Sequence, residues 1–179
     1  MIISDFDKTL TDKDTLLGFY YQVILHKKMK ILFIPIYYMV ILLCKVGILS
    51  NTHLKRLGVG LFLKGLLINE LDEIAKEYAR RIELNQLALQ LIASNRKVVV
   101  ISASFEEYLK YVTPDHWCVY GSRMLIVKGK VSKLDRNLFG DAKGKFLRNI
   151  YTEKQFELFY TDSQTDKSVS FYAKRTIMV

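Results

Sequence analysis

Apolar and polar positions fall in blocks along this chain. Met1-Ile2-Ile3, Val98-Val99-Val100-Ile101 and Phe156-Glu157-Leu158-Phe159-Tyr160 are short runs with almost no polar face, and each stops at polar or acidic residues. Such β-branched and aromatic runs suit strands covered on both faces of a parallel sheet. The pattern predicts strands at 2–4, 98–101 and 156–160, and further strands at 117–120, 123–131 and 176–179. Within 123–131, Lys128-Gly129-Lys130 has the chemistry of a hairpin turn. Between the first two strands the period becomes helical: 15–67 reads as helix, followed by helices over 70–84 and 87–94. A helix at 105–112 follows the second strand, and Lys143 opens another among glycines. Apolar strands separated by helices predict an α/β fold with a mostly parallel sheet and right-handed crossovers. Active groups are then expected at the carboxyl ends of the strands.

A chain of 179 residues suffices for one α/β core plus an insertion. A closing strand at 176–179 leaves nothing for a further domain, and the start has no basic, apolar and small-residue leader. Secretion by that route is not expected. Cys44 and Cys118 form no Cys-x-x-Cys pair and read as reduced packing residues in a cytoplasmic protein.

Candidate chemistry sits where the apolar runs end. Asp5-Phe6-Asp7-Lys8-Thr9 places two carboxylates two residues apart with a hydroxyl behind them, an arrangement that attracts a hard cation. Beside a phosphate, one carboxylate can attack phosphorus while the other manages the leaving-group proton. An ordinary aspartate turn is the alternative. Ser102 can offer its hydroxyl to a phosphoryl oxygen, although Ser102 or, more suitably, Ser104 can instead cap the next helix. In Ala142-Lys143-Gly144-Lys145, position alone does not choose between the lysines. Asp162 and Asp166, four apart after the third run, read as a metal ligand and its support, or as a helix cap and first-turn acid.

Taken together, Asp5, Asp7, Ser102, Lys143, Asp162 and Asp166 resemble the four signature motifs of the haloacid dehalogenase-like superfamily, over nearly the whole chain. The resemblance implies a Rossmannoid core at 1–13 and 86–179 with an all-helical cap at 14–85. It implies that Asp5 is a nucleophile forming an aspartyl-phosphate, that Asp7 is the acid and base, and that Ser102 and Lys143 bind phosphate. Mg²⁺ would sit among Asp5, Asp162 and the Asp7 carbonyl, with Asp166 and Thr9 in support. Ala142-Lys143-Gly144-Lys145-Phe146-Leu147 is similar to the Ala-Lys-Gly-x-x-Leu of phosphoserine-phosphatase-like members, which selects Lys143 over Lys145. An acid at position 7 implies a phosphatase rather than a dehalogenase. A looser resemblance, to C-type phosphatidylglycerophosphate phosphatases, rests on Asp14-Thr15, Pro35 in an apolar cap, and Tyr160-Thr161-Asp162-Ser163-x-x-Asp166. It implies a lipid phosphate substrate. Asp14 also falls where phosphoserine phosphatases place a substrate-reading carboxylate, so phosphoserine or another small metabolite is the alternative.

Charge sharpens that choice. The formal net charge is +9, and 15–68 holds seven lysines and arginines with no acidic residue. Inside that stretch the fourteen uncharged residues of 31–44 are flanked by lysines. This run is short of the roughly twenty residues of a bilayer span. Either it dips into an anionic membrane interface at the cytoplasmic face, with Tyr20, Tyr21, Tyr37 and Tyr38 in the headgroup zone, or it is the core of a soluble cap whose bases line an entrance for anions. The bases alternate with aliphatic residues rather than with stacking aromatics, so no nucleic-acid partner is expected.

Overall fold

The computed structural model describes residues 1–179. Its centre is a six-stranded sheet in the order β4-β3-β2-β1-β5-β6, formed by β1 (Ile2–Ser4), β2 (Val98–Phe105), β3 (Cys118–Val127), β4 (Lys130–Arg136), β5 (Phe156–Thr161) and β6 (Ala173–Met178). All neighbours run parallel except β3 and β4. β1 lies between β2 and β5, with Ile2 opposite both Val98 and Leu158.

Alternation along the strands splits the core in two, because successive side chains leave opposite faces. Ile2, Val98 and Val100 enter one buried cluster; Ile3, Val99 and Ile101 enter the other. The second cluster packs under two short helices, α7 (Asp141–Leu147) and α8 (Lys167–Ser170), through Leu147 and Val169. The first is larger and includes residues from the segment between β1 and β2. That segment forms α1 (Leu16–His26), α2 (Ile34–Lys45), α3 (Asn51–Gly58), α4 (Ile68–Ala79) and α5 (Gln86–Ala93). Phe19 of α1 packs on Tyr78 of α4, on Phe105 at the end of β2 and on Tyr108 of α6 (Glu106–Val112), with ring centroids 5.0–6.0 Å apart. Tyr20, Tyr37 and Phe62 form a second aromatic group in the same cluster.

Local chemistry sets the helix limits. Ser50 accepts the His53 N–H and caps α3; Asn85 accepts the Ala88 N–H and caps α5. Pro35 occupies the first turn of α2, where its missing N–H costs nothing. The stretch 15–67, read as helical, is broken by a 3-10 turn at Lys28–Phe33, by Gly47 at a φ of 78°, and by a π turn at Val59–Leu63. The helix expected to reach 84 ends at Ala79.

Several expectations are corrected. The strands predicted at 117–120 and 123–131 are one strand to Val127, because Ser122 is buried and its hydroxyl donates to the Ala103 carbonyl at 2.6 Å rather than ending the ladder. The hairpin does turn at Lys128-Gly129, both at positive φ, but β4 continues to Arg136. β6 starts three residues early, at Ala173, where exposed Lys174 and Arg175 on an edge strand hide the pattern. Cys118 is exposed and so is not a packing residue. Tyr20 and Tyr37 are buried in the aromatic group; only Tyr21 and Tyr38 reach solvent. No helix is long and apolar enough to cross a membrane.

Candidate active site

Adjacent strands lie about 4.8 Å apart, so groups leaving β1, β2 and β5 share one mouth. Asp5 follows β1 and Asp162 follows β5, while Ser102 lies within β2, in the stretch between Ile101 and Phe105 where its pairing with β3 is irregular. A cavity of about 160 Å³ opens there, lined by Asp5, Asp7, Asp14, Ser102, Lys143, Asp162 and Asp166. Seven of the eight predicted site residues therefore converge. Thr9 does not line the cavity: it is wholly buried behind the loop, its hydroxyl unpartnered and its carbonyl bonded to the Asn85 amide.

The first loop turns tightly, with the Phe6 carbonyl accepting from the Leu10 N–H at 2.8 Å. This turn forces Lys8 to a φ of 55°, a left-handed strain for a lysine, beside the cavity. Asp5 Oδ1 accepts the Phe6 N–H at 2.7 Å, and Asp5 Oδ2 lies 2.9 Å from Lys143 Nζ. The same ammonium donates to Asp166 Oδ2 at 2.6 Å, and Thr161 Oγ1 donates to that oxygen at 3.2 Å. Lys143 enters at the start of α7, preceded by Gly140 at a φ of 57°, while Lys145 lies outside the cavity.

Burial dominates the electrostatics. It lifts the Asp5 carboxyl to about 6, against the downward pull of Lys143. Burial likewise lifts Asp7 to about 6, with Asp14 adding to the rise. Asp162 is raised by burial and then by the charge of Asp5. Burial pulls Lys143 down, but Asp5 and Asp166 outweigh it and leave the lysine above its ordinary value. Two lysines, Lys8 and Lys143, thus face five aspartates, Asp5, Asp7, Asp14, Asp162 and Asp166, around the cavity.

Asp7 is gripped by Thr15 and Ser104, to which the sequence assigned other roles. Asp7 Oδ1 accepts the Thr15 N–H at 2.9 Å and the Thr15 hydroxyl at 2.6 Å, and Asp7 Oδ2 accepts from Ser104 Oγ. Ser104 therefore does not cap α6, whose N-cap is Phe105 without a side-chain bond. Thr15 is fixed in turn, with its carbonyl accepting from Tyr78 Oη at 2.6 Å and its hydroxyl 2.7 Å from that of Tyr108. Lys55 of α3 is also buried here and donates to the Ala103 carbonyl and to Asn137 Oδ1, tying α3 to the end of β2. Burial lowers it to about 8, against the attraction of Asp7 and Asp14. Nothing in the sequence separates Lys55 from six other bases of that segment.

A second cavity of about 260 Å³ adjoins the first and shares Asp7, Asp14, Ala103 and Phe139 with it. Its other walls are mostly apolar: Leu16, Leu17, Tyr37, Ile41 and Leu54, with Asn51, Lys55, Ser104 and Asn137.

The side chains of the cavity offer a metal oxygen donors only, among them the Asp5 and Asp162 carboxylates. No three His, Cys, Asp or Glu side chains gather closely enough to hold an ion by themselves. Two carboxylates with the remaining positions left to water and substrate fit Mg²⁺, which dehydrates reluctantly.

Comparison with known proteins gives the family and the fold. A family model described as haloacid dehalogenase-like hydrolase matches residues 2–169. Among solved structures, a Bordetella pertussis Tohama I protein of unknown function is 15% identical, with a TM-score of 0.76 over 99% of this chain and 88% of that one. A substrate-bound phosphoserine phosphatase is 20% identical, with a TM-score of 0.65 over 99% of this chain and 84% of that one. A probable phosphoserine phosphatase from Vibrio cholerae is 17% identical, with a TM-score of 0.69 over 99% of this chain and 55% of that one. No curated protein sequence matches significantly.

Proposed function

The chain belongs to the haloacid dehalogenase-like hydrolases, and from that premise we propose that it is a Mg²⁺-dependent phosphatase that hydrolyses a phosphomonoester through an aspartyl-phosphate on Asp5. The observation that carries this reading is the bridge of Lys143 between Asp5 and Asp166, in one cavity with Asp7, Ser102 and Asp162. Asp5, Asp162 and the Asp7 carbonyl would hold Mg²⁺, which supplies positive charge to the phosphoryl oxygens when bound.

Each residue then has a distinct task. Lys143 and the Ser102 hydroxyl hold the phosphoryl group against Asp5, so that a carboxylate oxygen meets phosphorus opposite the leaving oxygen. A P–O bond forms to Asp5 as the bond to the leaving group breaks, and Asp7 gives that leaving oxygen its proton. Asp7 then takes a proton from water, whose oxygen attacks the aspartyl-phosphate, releases inorganic phosphate and restores Asp5. Asp166 positions the ammonium of Lys143. The helical segment 14–85 acts as the cap that selects the leaving group and screens the site from water.

The substrate we favour is a lipid phosphate such as phosphatidylglycerophosphate, met at the cytoplasmic face of the membrane. The aliphatic walls of the adjoining cavity favour an apolar leaving group. A soluble phosphoserine or small-metabolite phosphatase is the second reading, because Asp14 and Lys55 place opposite charges in that cavity. Phosphate release from a panel of lipid phosphates in detergent and from phosphoserine, with and without Mg²⁺, tests both. We expect Mg²⁺-dependent release, a higher kcat/KM on the lipid phosphate, and no turnover by a folded Asp5→Asn variant. Faster hydrolysis of phosphoserine would favour the second reading. Turnover by Asp5→Asn would assign the attack to another residue.

A further inference from the structure

Helix α2 is apolar on both of its sides. Its inner side buries Tyr37 and Val40 and presents Ile41 to the second cavity. Its outer side carries Tyr38, Met39 and Leu42, at helical spacings of three and four and continued by Val46 just past its end, and all are exposed. The 3-10 turn before it adds Met29, Ile31 and Leu32, and the turn after it adds Ile48. These are not marginal exposures: Met29 is 78% accessible, Leu32 68% and Leu42 61%. A helix that is apolar all round is ordinarily inside something, and contiguous exposed apolar surface on a soluble domain marks an interaction site.

The border of the patch is cationic. Lys28, Lys30 and Lys45 flank it, only Lys27 among its neighbouring bases pairs with a carboxylate, Glu70 at 2.6 Å, and 15–68 offers no acid at all. Two copies of this face would oppose like charges, whereas an anionic bilayer complements the lysine rim and accepts the apolar stripe. No helix is long enough to span, so the element would lie in the plane of the interface.

We propose that the outer face of α2, together with the turns at 28–33 and 46–50, docks on the surface of a bilayer containing anionic lipid. Tyr38 then lies at headgroup depth, where an amphipathic ring is favoured. Because Tyr37 and Ile41 on the opposite side of the helix line the cavity that opens onto Asp7 and Asp14, docking brings that cavity within about one helix diameter, ~10 Å, of the lipid phosphates. The docking stands on the patch alone. Its bearing on substrate rests on the phosphatase reading above.

Co-sedimentation with vesicles of phosphatidylcholine plus phosphatidylglycerol, against phosphatidylcholine alone and in low and high salt, tests the proposal. The double variant Met39→Asp with Leu42→Asp changes only exposed side chains outside both cavities, and hydrolysis of p-nitrophenyl phosphate in plain buffer is followed in parallel. We expect the wild type to bind the anionic vesicles in low salt, and its partition to fall about tenfold or more in the variant, with neutral lipid and in high salt. Soluble turnover should be unchanged by the two substitutions. A wild type that stays in the supernatant, or a variant that binds equally well, overturns the docking while leaving any p-nitrophenyl phosphate activity in place. Vesicle binding without any phosphomonoester hydrolysis supports the docking and sinks the phosphatase reading. A wild-type dimer that the variant dissolves, with no vesicle binding, assigns the stripe to a second copy and also overturns the proposal.

Discussion

Lys143 is almost inaccessible, yet it keeps its charge because Asp5 and Asp166 lie on either side of its ammonium. Removing either acid leaves a buried charge short of a partner, which is costly. Glu107 shows the opposite situation, a half-buried acid whose contacts do not offset its loss of water. One of its oxygens accepts the Met124 N–H at 3.3 Å, the other has no partner, and burial raises it from 4.5 to about 6. Because the folded value lies above the unfolded one, the stability that protonation contributes is complete below about 4.5 and lost as pH rises through 6. Glu107→Gln should therefore stabilise the protein by about 1–2 kcal/mol at neutral pH and leave it nearly unchanged at acid pH, as urea midpoints at both would show. An equal effect at both would contradict burial as the cause. At this scale the sequence exposed the motif acids, because each ends an apolar run. It did not expose the hydroxyl grip on Asp7, because Ser104 lies 97 positions away and comes near only after β2 is laid beside β1, while Thr15, eight positions on, reaches back across the first loop.

The junction of β2 with α6 aims Ser104 at Asp7, and β3 presses closely against it. A Cβ added at Gly121 would fall 2.5 Å from the Glu106 nitrogen and 2.7 Å from the Ser104 carbonyl oxygen, both backbone atoms that cannot rotate aside. Arg136 of β4 further fixes this point by donating to the Gly121 carbonyl at 3.0 Å. Gly121→Ala should cost about 1–3 kcal/mol and lower turnover through displacement of Ser104, as a denaturant midpoint and kcat would show. A loss within a few tenths would mean that the junction yields easily. Buried strands were legible as elements because their apolar runs are unbroken. The continuation of β3 through Gly121-Ser122 was not, since a polar pair signals a break unless a tertiary partner, here the Ala103 carbonyl, takes up the hydroxyl. The start of the edge strand β6 is hidden for the converse reason: Lys174 and Arg175 look like loop, but an edge tolerates charge.

Across the whole molecule, the segment between β1 and β2 shares the larger buried cluster with the sheet rather than forming a core of its own. Phe19, Tyr78 and Tyr108 pack together directly behind Thr15, so the packing of α1 and α4 is coupled to the position of Asp7. The bias of basic over acidic residues in 15–68 was plain in the sequence. Which faces it borders was not, because the outer side of α2 is as apolar as its inner side and only the fold shows which one is covered. The account depends on one assembled centre, in which Asp5 receives a phosphoryl group beside Mg²⁺ and Lys143. Thermal melting with beryllofluoride and Mg²⁺, a mimic of the aspartyl-phosphate, reads this most directly. A ligand held at a hundred times its Kd adds about 2.7 kcal/mol of stability, so a rise of several degrees in Tm is expected for the wild type and none for Asp5→Asn. No rise in the wild type, or the same rise in Asp5→Asn, would contradict a phosphoryl site built on Asp5.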